Sequence, residues 1–284
     1  MYLKEHLADF FVIDLDRPVL LANTILKICP DEIYHLAAHH FSSQSEKNRT
    51  EAFLPFNLIN VLAVDEALQV MMADLQTTKY FYASSCQIFG VPTVFPQTES
   101  TPYNPDTPYS ISKCTGFYLC RYYRSMYNIH ASVGILYNHE SPRRGMSFVS
   151  SQIARAAAKA YYGKCEPLLI KNLDAIVDWG AAEDYVRAMW LTLQQKNGDE
   201  YIIASGVPHT VRDFAKEAFG YLGLNWEKYV FQDKNRISST RLPYIGNSSK
   251  IRNICGWEPV ISFEQLIKSM VDYQLLNIQS ENVN

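Results

Sequence analysis

The chain has 284 residues, 48% of them hydrophobic and 19% charged, with a formal net charge of -3. This is the composition of an ordinary globular protein with room for one large core or two smaller ones. The slightly acidic balance, without a basic block, argues against a nucleic-acid binder. No apolar run reaches membrane length, and the six cysteines (Cys29, Cys86, Cys114, Cys120, Cys165 and Cys255) form no Cys-x-x-Cys pair. Neither a zinc site nor a disulfide framework is therefore indicated, and a reducing cytoplasm is the expected compartment.

In chain order, residues 10–14 read as a short apolar strand, 19–29 as a helix stopped by Pro30, and 32–37 as a second strand. Apolar residues at helical spacing predict a long helix over 54–73, followed by a strand over 79–84. A proline-rich loop, 92–108, leads into a helix over 109–127, and a buried strand follows at 132–136. Further helices are expected near 148–161 and 183–195. Strands alternating with helices predict an α/β protein with a parallel, doubly wound, Rossmann-like sheet. Beyond residue 138, Pro142, Pro167, Pro208, Pro243 and Pro259 break the regularity. The expected division is 1–138 as a dinucleotide-binding unit, with 148–205 contributing in part, and 139–284 as mostly a substrate-binding lobe.

Tyr109 and Lys113 stand four residues apart, which puts a phenol and an ammonium on one helix face. A phenol near pKa 10 is a poor base at neutral pH, but a fixed ammonium favours the phenolate. Ser85, at the end of the preceding strand, supplies a hydroxyl to the same substrate oxygen. The three together describe alcohol–ketone redox chemistry with a nicotinamide as hydride acceptor. In a chain with 19 tyrosines the bare spacing is common, and its context carries the reading.

That context is Ile33-Tyr34-His35-Leu36-Ala37-Ala38, the run from Gly134 through Tyr137-Asn138-His139-Glu140-Ser141-Pro142-Arg143-Arg144 to Gly145, and Asp178-Trp179-Gly180 followed by Asp184-Tyr185-Val186. It resembles the extended short-chain dehydrogenase/reductases and, among them, the GDP-mannose 4,6-dehydratases. The resemblance implies an NADP-dependent lyase on a GDP-sugar, a homodimer or homotetramer built through the helices at 54–73 and 109–127, and no nucleic-acid or membrane partner. It assigns catalysis to Ser85, Gln87, Tyr109 and Lys113. Asp14, Leu15, Leu36, Ala37, Ala38, Tyr109, Lys113, His139 and Arg144 fall to the cofactor, and Asn138, Gln152 and Arg241 to the substrate.

Two departures from the family pattern bear on mechanism. Gln87 occupies the position of a glutamate that moves the C5 proton, and an amide is no base near neutral pH. Gln152 and Val177 replace a lysine and an arginine that face GDP in the family. Cys86, between Ser85 and Gln87, reads as packing more than catalysis. Asp178 reads either as a helix cap or as a substrate contact. His35, His39 and His40 read as loop polar residues, with no metal.

The family's glycine-rich pyrophosphate turn is missing from the chain, and residues 11–15 match its third strand. The expectation is therefore an N-terminally truncated sheet lacking its first βαβ unit, with Met1 an internal start. The alternative is a rearranged sheet in which strand 10–14 moves beside strand 32–37 through a right-handed crossover. Three functional readings follow: a dehydratase of the family type, a C4-oxidising or epimerising relative that does not eliminate water, and a non-catalytic remnant or partner subunit.

Overall fold

A computed structural model describes residues 9–38, 53–164, 166–233 and 243–281. In chain order the elements are α1 (Pro18–Ile28), β1 (Glu32–His35), α2 (Phe53–Ala73), β2 (Lys79–Ser85), α3 (Pro108–Tyr127), β3 (Ala131–Leu136), β4 (Asn138–Glu140) and α4 (Val149–Tyr161). They continue with β5 (Leu168–Ile170), β6 (Ile176–Ala181), α5 (Ala182–Leu193), β7 (Glu200–Ile203), β8 (Pro208–Thr210), α6 (Val211–Gly220), β9 (Val230–Gln232), α7 (Ser249–Cys255) and α8 (Phe263–Glu281).

The main sheet is parallel, in the order β1-β2-β3-β7. Alternation along β2 sends Tyr80 and Tyr82 into the core beneath α1, α2 and α3, and Phe81 and Ala83 into the core beneath α5 and α7. Both faces being covered, β3 is buried at all six positions, as parallel strands generally are. A third apolar cluster joins α4, α6 and α8 around Trp179 and Phe214. Two small sheets, β4-β6-β8 and β5-β9, lie in this second half.

Local chemistry explains where the helices start and stop. Pro18 opens α1, and Cys29 closes it with φ +48° before Pro30. Thr107 and Ser110 form a reciprocal capping box at the start of α3, Pro108 sits in its first turn, and Asn128 ends it at φ +56°. On its far side Arg121 and Arg124 both bind the Glu200 carboxylate, which fastens α3 to β7.

The expected strand at 10–14 does not form. These residues run as coil into a turn at 15–16, with Phe10 74% and Val12 88% exposed. Among the described residues β1 pairs with β2 alone, so the rearranged crossover is not adopted either. The reason lies in β-structure itself: an apolar tetrad is a strand only where a neighbour supplies a ladder and a face to cover it. β1 is also shorter than its apolar run, ending at His35 and leaving Leu36 and Ala37 exposed.

Candidate active site

The C-terminal end of β2 and the first turn of α3 create the site. Ser85 ends β2 and caps a short 3₁₀ turn, Cys86–Phe89, its Oγ accepting from the Gln87 N–H at 3.2 Å. The Ser85 hydroxyl neighbours the Tyr109 phenol and eases its ionisation. One turn along α3, Lys113 is buried, and its Nζ donates to the Ala83 carbonyl at 2.7 Å. Nζ lies 5.1 Å from the centroid of the Tyr82 ring and 5.8 Å from that of Tyr109. The three residues singled out in the sequence are thus brought together at the carboxyl ends of parallel strands, where open α/β sheets bind ligands.

The electrostatics differ from the sequence expectation. Burial, reinforced by the neighbouring Cys86, pushes the Tyr109 phenol up to about 12, against the opposing pull of Ser85 and Arg144. Burial pushes Lys113 down to about 8. Arg144 is a cation that eases ionisation of Tyr109, while the Lys113 ammonium donates to the Ala83 carbonyl and sits over the Tyr82 and Tyr109 rings. A stability prediction follows. The unfolded chain holds the lysine proton to about pH 10.4, whereas the folded chain holds it only to about 8. Unfolding therefore takes up protons between those values, and stability rises with pH across that window. Lys113→Met is expected to flatten this rise and to stabilise the fold at pH 7 by about 1–3 kcal/mol, as read by urea melts at several pH values.

Asn138, His139 and Glu140 form β4, in line with the end of β3. His139 Nδ1 is 2.8 Å from the Tyr137 carbonyl, which only accepts, so Nδ1 carries the proton and a neutral ring keeps Nε2 as an acceptor. Burial is the first reason that this imidazole is a weaker base than usual, and Arg144 adds to it. Arg144 lies 3.0 Å from the buried Glu140 carboxylate and stacks on Phe148 at 3.4 Å. Part of its charge is therefore answered within the protein. Gln152 donates to the Met146 carbonyl at 3.1 Å, and Val177 packs on the α4/α6/α8 cluster. Asp14 and Leu15 lie in the segment entering α1, remote in sequence from any strand of the sheet. Arg241, His39 and His40 lie outside the described residues.

Asp178 is not a helix cap. It is completely buried, and it accepts from Ser205 N (2.9 Å), Ser205 Oγ (2.6 Å), Gly206 N (3.0 Å) and Gly246 N (3.1 Å). The N-cap of α5 is Ala181. His35, within the strand expected over 32–37, is a buried residue of β1 whose Nδ1 meets the Tyr80 hydroxyl at 2.7 Å, not an open polar residue. Two further residues of the site escaped the sequence reading as participants. The Cys86 thiol is held protonated, burial pushing it up to about 12. Gln97, fully buried, accepts from Tyr137 Oη (2.9 Å) and Ile245 N (3.0 Å), which moors the segment at 243–247 beside the end of β3. Nothing in a proline-rich loop marks that glutamine in advance.

The residues at this end of the sheet suit a nicotinamide riboside. Ser85 and Tyr109 offer the oxygen-handling pair, Lys113 retains donors beyond the one given to Ala83, and Leu36 and Ala37 leave a small, open wall at the exit of β1.

Comparison with known proteins agrees with this geometry. A family model described as GDP-mannose 4,6 dehydratase matches residues 3–270. GDP-mannose 4,6 dehydratase 2 of Arabidopsis thaliana is 40% identical over 274 residues, covering 95% of this chain and 72% of that protein. The Homo sapiens GDP-mannose 4,6 dehydratase is 32% identical over 284 residues, covering 91% and 74%. Among solved structures, RMD from Pseudomonas aeruginosa complexed with NADPH superposes with a TM-score of 0.85 at 21% identity, covering 97% of this chain and 95% of that one. The dTDP-glucose 4,6-dehydratase of Bacillus anthracis in complex with NAD gives 0.81 at 22% identity, covering 98% and 83%. The two structural likenesses speak for a shared fold, that of the Rossmann-type epimerases and dehydratases; the sequence matches go further, and by them this chain belongs to the GDP-mannose 4,6-dehydratase family.

Proposed function

We propose that this chain is a sugar-nucleotide dehydratase that works on a GDP-hexose with NADP, oxidising C4 through Tyr109 and then losing the C6 hydroxyl. The observation that carries the reading is the convergence of Ser85, Tyr109 and Lys113 at the carboxyl end of β2, with the Lys113 ammonium 5.8 Å from the Tyr109 ring centroid. The bound nicotinamide would accept the C4 hydride. Tyr109 takes the proton of the C4 hydroxyl, and Ser85 donates to the same oxygen. Lys113 lies behind the phenol and holds the cofactor ribose. His139, Arg144, Leu36, Ala37 and Ala38 line the rest of the cofactor side, with Asp14 and Leu15 at the adenine end. Asn138, Gln152 and Arg241 face the nucleotide-sugar.

A second reading, C4 oxidation or epimerisation without dehydration, is favoured by Gln87. Its amide is the side chain two residues beyond Ser85, where elimination needs a proton carrier. Oligomerisation is part of the proposal. Leu58 and Leu62 on α2 and Ile111, Tyr118, Tyr122 and Met126 on α3 are exposed on two helices that pack together, and a second copy would cover them. No helix among the described residues is long and apolar enough to cross a membrane, and the proposed compartment is the cytoplasm.

The cofactor half is tested by melting the protein with NADPH. Saturating ligand is expected to raise the midpoint by about 3–6 °C. An unmoved midpoint, with no nicotinamide absorbance in the purified protein, contradicts a redox role.

A further inference from the structure

Lys113 is a buried cation, and among the described residues it has no carboxylate partner. It rests on the Ala83 carbonyl and on the faces of Tyr82 and Tyr109. Tyr82 is in turn held by His35, whose ring meets it edge-on at 5.8 Å and 78°, and meets Tyr80 at 6.0 Å and 75°. His35 is 8% exposed, and its Nδ1 lies 2.7 Å from the Tyr80 hydroxyl. One imidazole therefore spans the exit of β1, the middle of β2 and the base of Lys113.

Resting on the functional reading above, we propose that His35 is a positioning residue for Lys113. It acts through Tyr82, fixing the ring on which the ammonium lies. The groups facing this column are Tyr80 and Tyr82 from β2 and Tyr109, Cys114 and Cys120 from α3. Burial makes each of these phenols and thiols harder to ionise. His35 itself is pushed down to about 4 by burial, with the Lys113 charge adding to the effect. The column is thus uncharged at neutral pH apart from Lys113. Its geometry keeps water and counter-charge away from that ammonium.

The test reads Lys113 directly in the cofactor-free protein. Selective ¹³C labelling of lysine, with Lys113→Arg for assignment, gives its titration by NMR. His35→Leu, which loosens Tyr82 and admits water, is expected to raise the Lys113 titration by about one unit or more toward the ordinary lysine value. His35→Gln, long enough to reach Tyr80, is expected to leave it near the wild-type position. Tyr80→Phe deletes only the hydroxyl that His35 accepts and serves as the milder variant; a smaller rise in the same direction is expected. An unchanged Lys113 titration in Tyr80→Phe, or in a cooperatively melting His35→Leu, overturns the proposal. Failure of the functional reading shows separately, as an unmoved melting point when NADPH is added to the wild type.

Discussion

Tyr109→Phe is expected to lower C4 oxidation of a GDP-hexose by about 10²–10⁴-fold while leaving the fold intact. The substitution removes one oxygen and keeps the ring, so the contact with the Lys113 ammonium survives in outline. The structural loss is one buried hydroxyl beside Ser85, a matter of about 1 kcal/mol. A melting point that falls by only a few degrees, with oxidation almost gone, separates chemistry from stability. Because burial holds the free phenol near 12, wild-type activity should also climb with pH through the neutral range as more phenolate forms. Comparable activity in the phenylalanine variant would remove Tyr109 from the reaction.

Gln87→Glu is the opposite experiment, a predicted gain. Elimination needs a group that removes the C5 proton and passes one to the leaving hydroxyl, and among the described residues the surroundings of Ser85 offer none in working order. Glu140 is paired with Arg144, and all four hydrogen bonds to Asp178 come from within the fold. The Cys86 thiol is held protonated, and His139 is weakened as a base. A carboxylate at position 87 is expected to raise formation of the 4-keto-6-deoxy product by about 10²–10⁴-fold, followed by mass spectrometry as loss of water. If the native Gln87 form already dehydrates at the rate of the glutamate variant, proton transfer in this site runs through another residue.

Much of this architecture was legible in the residues because the signals were local. The helix expected over 109–127 and the strands expected over 79–84 and 132–136 belong to single segments, and the structure forms them as α3, β2 and β3 within a residue or two of the expected bounds. The convergence of Ser85, Tyr109 and Lys113 was legible for the same reason. A four-residue spacing and a strand end need no long-range information. What escaped was set by partners distant in sequence. The apolar tetrad at 10–14 reads as a strand but has no ladder to join. Asp178 reads as a cap because the three backbone N–H groups it serves lie in segments 27 to 68 residues away. His35 reads as a polar residue at a strand end until Tyr80, 45 residues later, is placed beside it. The direction of the Tyr109 shift was missed because spacing places a cation nearby but says nothing of how deeply both groups are buried.

The most direct test is a single-turnover experiment in which the protein, loaded with NADP, is mixed with GDP-mannose and the reduced-nicotinamide absorbance is followed in the wild type and in Tyr109→Phe. The expected result is a burst approaching one reduced cofactor per site in the wild type, persisting because Gln87 slows the steps that would return the hydride, and no burst in the variant. Equal traces from the two proteins, or no reduction in a wild type shown to bind both ligands, would contradict the assignment of C4 oxidation to the Tyr109 phenol.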